Sequence, residues 1–164
     1  MGTGKSSVGQ MVAHHLHFTY LDTDHVIEAR VGKSISDIFA HEGESAFREL
    51  ERHIVLELES RDKTVISTGG GLPANTANLA SLKTHALVVC LWASPEAIWE
   101  RVQGQKHRPL LQDTDPLERI HALLAVREPF YRSADVLVNT EMRSIREVAQ
   151  QVLHHFQMAQ SAGA

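Results

Sequence analysis

The chain has almost no cysteine. Cys90 stands alone among 164 residues, so no internal disulfide framework is possible, and a reducing compartment is the expected setting. Long apolar runs are also missing: none approaches the roughly 18 residues that a membrane helix needs. The N-terminal residues lack the basic, then apolar, then small-residue order of a secretory signal. A soluble, cytoplasmic protein without a membrane partner is therefore expected. Positive charge is in deficit, with 16 Lys and Arg against 20 Asp and Glu and a formal net charge of -4. That balance provides no broad positive field for a nucleic-acid backbone, and a small anionic ligand would need local positive groups. Metal-ligand spacing is absent too. Of 11 histidines, His14-His15 and His154-His155 are adjacent pairs, which on a helix point about 100° apart and do not share an ion easily. There is no internal repeat, low-complexity block or interdomain linker, so residues 1–164 read as one domain large enough to build a core.

What is present starts at once, with MGTGKSSVG from Met1 to Gly9. Gly4, Lys5 and Ser6 satisfy the end of the phosphate-loop pattern G-x-x-x-x-G-K-[ST], whose first glycine would fall ahead of Met1. Val8, Met11, Val12 and Leu16 then recur at helical spacing, which predicts a helix from Lys5 to about His17. Phe18 to Leu21 is a strand candidate, and helical stretches follow over Thr23 to Val31, Ile35 to His41 and Glu44 to Ser60. The last carries an apolar stripe of Phe47, Leu50, Ile54 and Leu58.

The period changes at TVISTGGG, Thr64 to Gly71, where β-branched residues run into three glycines, as in a buried parallel strand ending where a ligand approaches. A second such run, Ala86 to Trp92, precedes Ser94 and Pro95, a helix cap and first turn. Residues 103–115 are polar, basic in the middle and aperiodic, which suits a mobile segment. Helix returns over Pro116 to Arg132, ADVLVNT gives a last strand, and Ser144 to Met158 a last amphipathic helix, with the tail 159–164 expected to fray. Alternating strand and helix predict an α/β domain with a parallel sheet. Ligands of such sheets bind beyond the carboxyl ends of the strands, where the glycine loop, the Asp22 region and Gly69 to Gly71 would gather.

The loop of Gly2, Thr3, Gly4, Lys5, Ser6 and Ser7 carries the strongest chemical signal. Its amides and the positive end of the helix dipole would face an anion, with Lys5 on the outer phosphates of a nucleotide and Ser6 on Mg²⁺. In LDTD, strand periodicity would turn Asp22 and Asp24 to the same face, placing two carboxylates near the phosphates. Asp22 reads equally well as an ordinary helix cap. Arg48 has Glu44 four residues before it and Glu51 three after, which a surface ion-pair ladder explains. Taken singly, Arg108 and Arg127 are solvated arginines.

Together and in this order, MGTGKSSVG, LDTDHVIE, EGESAFRELE, STGGG, RPLL and REPFYRSADVLVNT resemble the shikimate kinase family over nearly the whole chain. The resemblance implies transfer of the γ-phosphoryl of ATP to the 3-hydroxyl of shikimate, in aromatic amino-acid biosynthesis. It implies that Lys5 and the loop amides hold the phosphates, that Ser6 binds Mg²⁺, and that Asp22 supports the metal through water. Asp24 would grip the ring hydroxyls and could accept a proton, while Arg48 and Arg127 would hold the carboxylate by charge-assisted forks. Gly69, Gly70 and Gly71 would let backbone approach the ring. Residues 103–115 match the family's lid, which brings Arg108 to the phosphates, and helices within about 23–60 match its substrate-binding region. Arg101 matches a position that stacks on adenine, although the threonine usual beside it is replaced by Val102. Glu51 matches an acid that orients the substrate-binding arginine. Monomer is the family's usual state.

The family's sheet order is 2-3-1-4-5, its central strand 1 standing directly before the glycine loop. No residues here supply that strand. The expectation is a natural start earlier by a strand and a turn, about ten residues. Two rival functions keep the same loop. One is a phosphate-loop kinase of another polyol or sugar acid such as gluconate, and the other is a non-catalytic binding module.

Overall fold

The computed structural model describes residues 2–104 and 115–162. Helix α1 spans Lys5–Leu16, capped by Gly4 at a left-handed φ of 84°. A side chain there would be strained, so the glycine is what lets the loop turn directly into the helix. Strand β1 (Thr19–Asp22) leads into α2 (Thr23–Val31), and Asp22 caps that helix by accepting the Asp24 amide. Ser34 caps α3 (Ile35–His41), and α4 follows over Gly43–Leu58. Strand β2 (Thr64–Ser67) ends at the three glycines and a single 3₁₀ turn, Leu72–Ala74. Asn75 caps α5 (Thr76–His85), β3 covers Val89–Trp92, and Ser94 with Pro95 opens α6 (Pro95–Val102) as expected. Helix α7 (Pro116–Arg132), strand β4 (Val136–Asn139) and α8 (Ile145–Ala162) complete the described chain. Helix α8 runs past Met158, where the apolar pattern stops, because Ala159, Gln160, Ser161 and Ala162 offer nothing that breaks a helix.

All observed strand pairing is parallel. Strand β1 pairs with β2, Thr19 opposite Thr64 through Asp22 opposite Ser67. Strand β3 pairs with β4, Val89 opposite Val136 through Trp92 opposite Asn139. Among the described residues these are two separate two-stranded sheets, β1-β2 and β3-β4.

Three apolar clusters hold the elements. One, with Ile27, Ile38, Phe47, Ile54, Val55, Leu58, Leu72 and Leu82, packs α2 to α5 onto β1 and β2. A second joins Val8 and Val12 of α1 to Val138, Val148 and Ala149, with Val65, Val89 and Leu91 packed against it. The third, Ala93, Ile98, Val102 and Ile120, binds α6 to α7. No helix among the described residues is long and apolar enough to cross a membrane.

Candidate functional site

The glycine loop lies over α6. A Cβ on Gly2 would stand 2.9 Å from Val102 Cγ1 and 3.1 Å from Ile98 Cγ2, so the loop rests on the apolar cluster beneath it. Thr3 is buried, Gly4 is exposed, and α1 starts at Lys5. The first turn of α1 contains no acidic residue, leaving its positive end uncompensated by side chains of its own. Ser6 Oγ lies 3.3 Å from Asp22 Oδ2, which also accepts the Tyr20 hydroxyl at 3.2 Å. Ser6 and Asp22 thus stand together at the loop, as oxygen ligands of a small hard cation would.

Asp22 and Asp24 converge by a different route from strand alternation. Asp22 is the last residue of β1, while Asp24 already lies in the first turn of α2. The bond from the Asp24 amide to Asp22 Oδ1, at 3.1 Å, brings the two together. Asp22 thus caps α2 through Oδ1, and its other oxygen, Oδ2, is the one beside Ser6. Asp24 is mostly buried, and its Oδ1 has no hydrogen-bond partner among the described residues. Burial pushes its carboxyl above the ordinary range, the Asp22 charge pushes the same way, and Lys5 opposes both.

Gly69 is the residue beside Asp24. Any Cβ there would fall well inside contact distance of Asp24 Oδ1. Its amide donates to Thr23 Oγ1 at 3.1 Å, and Thr23 is fully buried. Gly71 stands equally close to the next group: a Cβ on it would lie 2.5 Å from Arg48 Nη1. The glycines thus leave room for two charged side chains, one of each sign, to border a single backbone loop.

Arg48 carries both ion pairs that its spacing predicts, to Glu44 Oε1 and to Glu51 Oε2, each at 2.7 Å. They are not equivalent, since the Glu44 side chain is 66% exposed and that of Glu51 is 1% exposed. Glu51 takes a place on the buried stripe of α4 beside Phe47, Ile54 and Val55. Its carboxyl is pushed up by burial, against which the Arg48 hydrogen bond and charge, and the Arg127 charge, act. Arg127 projects from α7 into the same electrostatic neighbourhood. Lys5, Asp22, Asp24, Arg48, Glu51, Gly69 to Gly71 and Arg127 are therefore gathered on one side of the molecule.

The Arg101 guanidinium donates to Thr140 Oγ1 at 2.9 Å, to the Thr140 carbonyl at 2.7 Å and to the Gly2 carbonyl at 3.4 Å. It ties the start of the phosphate loop to the turn after β4. Val102, next to it in sequence, is fully buried under Gly2. Arg108 and most of the predicted lid lie outside the described residues.

Three residues in the site carry no role in the sequence reading. Thr140 is 3% exposed, donates its hydroxyl to the Trp92 carbonyl and accepts from Arg101. Thr23 and Tyr131, the latter donating to the Gly70 carbonyl at 2.7 Å, pin the glycine loop from two sides. Each sits inside a quoted motif, LDTD, REPFYR or VNT, but only the fold shows which backbone group it meets.

The model of the shikimate kinase family matches residues 1–157. A shikimate kinase of Caldanaerobacter subterraneus is 42% identical over 95% of this chain and 91% of its own length. One from Thermus thermophilus is 43% identical over the whole of this chain and 90% of its own. Among solved structures, the shikimate kinase of Acinetobacter baumannii in complex with shikimate superposes with a TM-score of 0.91 at 38% identity, covering 97% of this chain and 89% of that one. The Aquifex aeolicus shikimate kinase gives 0.84 at 36% identity, covering 96% and 92%.

Proposed function

The chain belongs to the shikimate kinase family, and from that premise we propose how its own residues phosphorylate shikimate with ATP. The reading assigns the phosphates to the amides of Gly2 to Ser7 and to Lys5, at the positive end of α1. It assigns the substrate carboxylate to Arg48 and Arg127, and the ring hydroxyls to Asp24. One observation carries it: an unpartnered, buried carboxylate oxygen of Asp24 stands between a phosphate-binding loop and a backbone loop kept clear by glycine. An orphaned acceptor of that kind costs about 1–3 kcal/mol, and a substrate hydroxyl would satisfy it.

Phosphoryl transfer demands mainly alignment and charge neutralisation. Arg48 enters with its guanidinium already oriented by Glu51, so less rotamer freedom is lost on binding. Asp24 takes a hydrogen bond from the attacking 3-hydroxyl, orients it toward the γ-phosphorus, and receives its proton as the new P–O bond forms and the bond to the ADP oxygen breaks. Its raised pKa brings it nearer to the pH at which a base works well. Lys5 neutralises charge on the phosphate oxygens. Ser6 and Asp22 fit a Mg²⁺ ion, which would supply further neutralisation of the phosphates when bound. Arg101, held by Thr140, borders the nucleotide end.

The test is coupled ADP release with shikimate and, separately, gluconate. Turnover on shikimate alone supports the reading, and preference for gluconate sinks it in favour of another small-acid kinase. Calorimetry showing shikimate binding without ATP binding or turnover would make the chain a binding module instead.

A further inference from the structure

The three side chains read as substrate-binding come from separate elements, Asp24 from α2, Arg48 from α4 and Arg127 from α7. All three converge on a loop with no side chains of its own, so its path must be set by others. Helix α2 reaches the loop through Thr23 and Gly69, and α4 through Arg48 packed against Gly71. Helix α7 reaches it through a phenol. Tyr131 donates to the Gly70 carbonyl at 2.7 Å, and Arg127 stands four residues earlier on α7, on the same face of the helix. The phenol therefore gives its proton to the loop and has a lone pair left for the arginine beside it. Burial pushes Tyr131 above the ordinary tyrosine value, the neighbouring Arg127 only opposing that, so it remains a neutral donor at working pH.

We propose that Tyr131 is a positioning residue for the carboxylate end of the substrate: its hydroxyl fixes the Arg127 guanidinium relative to the Gly70 carbonyl. This rests on the reading of Arg127 as a carboxylate-binding group. Without the hydroxyl, Arg127 keeps its charge but loses its set direction, and the weakened step is binding of the acid rather than phosphoryl transfer or nucleotide binding. The ring itself is packing and is preserved in Tyr131→Phe.

The experiment measures KM and kcat for Tyr131→Phe, Arg127→Ala and the unaltered chain, together with calorimetric binding of shikimate and of its methyl ester, which lacks the negative charge. For Tyr131→Phe the expected result is a shikimate KM raised about tenfold, the size of one hydrogen bond to a charged group. Its kcat and ATP KM should stay within about twofold, and its preference for acid over ester should shrink by the same factor as KM rises. A shikimate KM within twofold of the unaltered chain overturns the proposal, as does equal weakening toward acid and ester, or toward shikimate and ATP. Arg127→Ala separates the two layers. If it keeps the full preference for acid over ester, the carboxylate reading of Arg127 fails and takes this proposal with it. If it loses that preference while Tyr131→Phe keeps it, the role of Tyr131 alone is wrong.

Discussion

Replacing Asp24 by Asn should make the protein more stable and nearly inactive, with a pH signature that identifies the cause. Asp24 is mostly buried, its Oδ1 is unpartnered, and Asp22 adds a like charge beside it. Lys5 compensates in part. Asparagine keeps the shape and removes the buried charge, so the expected gain at pH 8 is on the order of 1–2 kcal/mol. For a domain of this size that raises Tm by about 2–8 °C. The sign with pH follows from linkage. The folded-state pKa of Asp24 lies above its unfolded value, so the native state holds its proton more tightly. The stabilisation that proton brings to the parent chain is complete below the unfolded pKa and lost as pH rises through the folded one. The advantage of the variant is therefore full above the folded pKa and fades on acidification. Turnover should fall by about 10²–10⁴, since proton acceptance and hydroxyl alignment go together. Thermal melts from pH 4 to 8 beside a coupled ADP assay decide the matter. A variant less stable than the parent at pH 8, or an advantage that grows as pH falls, would refute the account of a strained functional carboxylate.

Arg48→Met should cost about 3–5 kcal/mol by stranding Glu51, whose side chain is 1% exposed, and Arg48→Met/Glu51→Leu should recover most of it; urea melts of the pair test this, and a double variant as unstable as the single one contradicts it. Ser6→Ala should raise the Mg²⁺ concentration needed for half-maximal turnover by about tenfold while leaving shikimate binding unchanged, because the Ser6 hydroxyl is directed at Asp22 rather than at Asp24 or Arg48. Val12→Ala, at a position 3% exposed in the cluster that touches β2 and β3, should cost about 1–3 kcal/mol and raise the KM values of ATP and shikimate together. Thermal melts beside steady-state kinetics check this, and constants that stay at the parent values in a destabilised variant contradict it.

The sequence makes the helices legible because their apolar stripes and caps are local: Ser94-Pro95, Asp22 and Gly4 each mark the turn where a helix begins. It makes the β-branched strands legible for the same reason, to within three residues at their ends, the widest gap being Ala86 expected against Val89 found for β3. Which strands pair is another matter, because parallel pairing joins residues 45 or more positions apart, as Thr19 with Thr64, and nothing local encodes it. The order came from the resemblance. In the site, charged residues at fixed spacing were visible, including both partners of Arg48. Their inequality was not, although Glu51 lies on the apolar stripe of α4, four positions after Phe47 and three before Ile54. That periodicity is itself a signal that the acid is buried. Thr23, Thr140 and Tyr131 escaped for a physical reason. Each acts on a backbone group, and a backbone amide or carbonyl has no letter in the sequence.

The arrangement of the two sheets gives α1 a second role. Asp24, Arg48 and the Gly69 to Gly71 loop belong with β1 and β2, whereas Arg101 and Arg127 come from α6 and α7, which pack on each other. Side chains of α1 bridge the two strand pairs, since Val8 and Val12 lie in the cluster that receives Val65 from β2 and Val89 and Leu91 from β3. Tyr131 supplies a second tie, from α7 to Gly70. Packed interiors transmit small displacements rather than absorbing them. On the proposed assignment of the phosphates to the N-terminus of α1, the apolar face of that helix is therefore the shared element through which a displacement at the phosphates would reach both strand pairs.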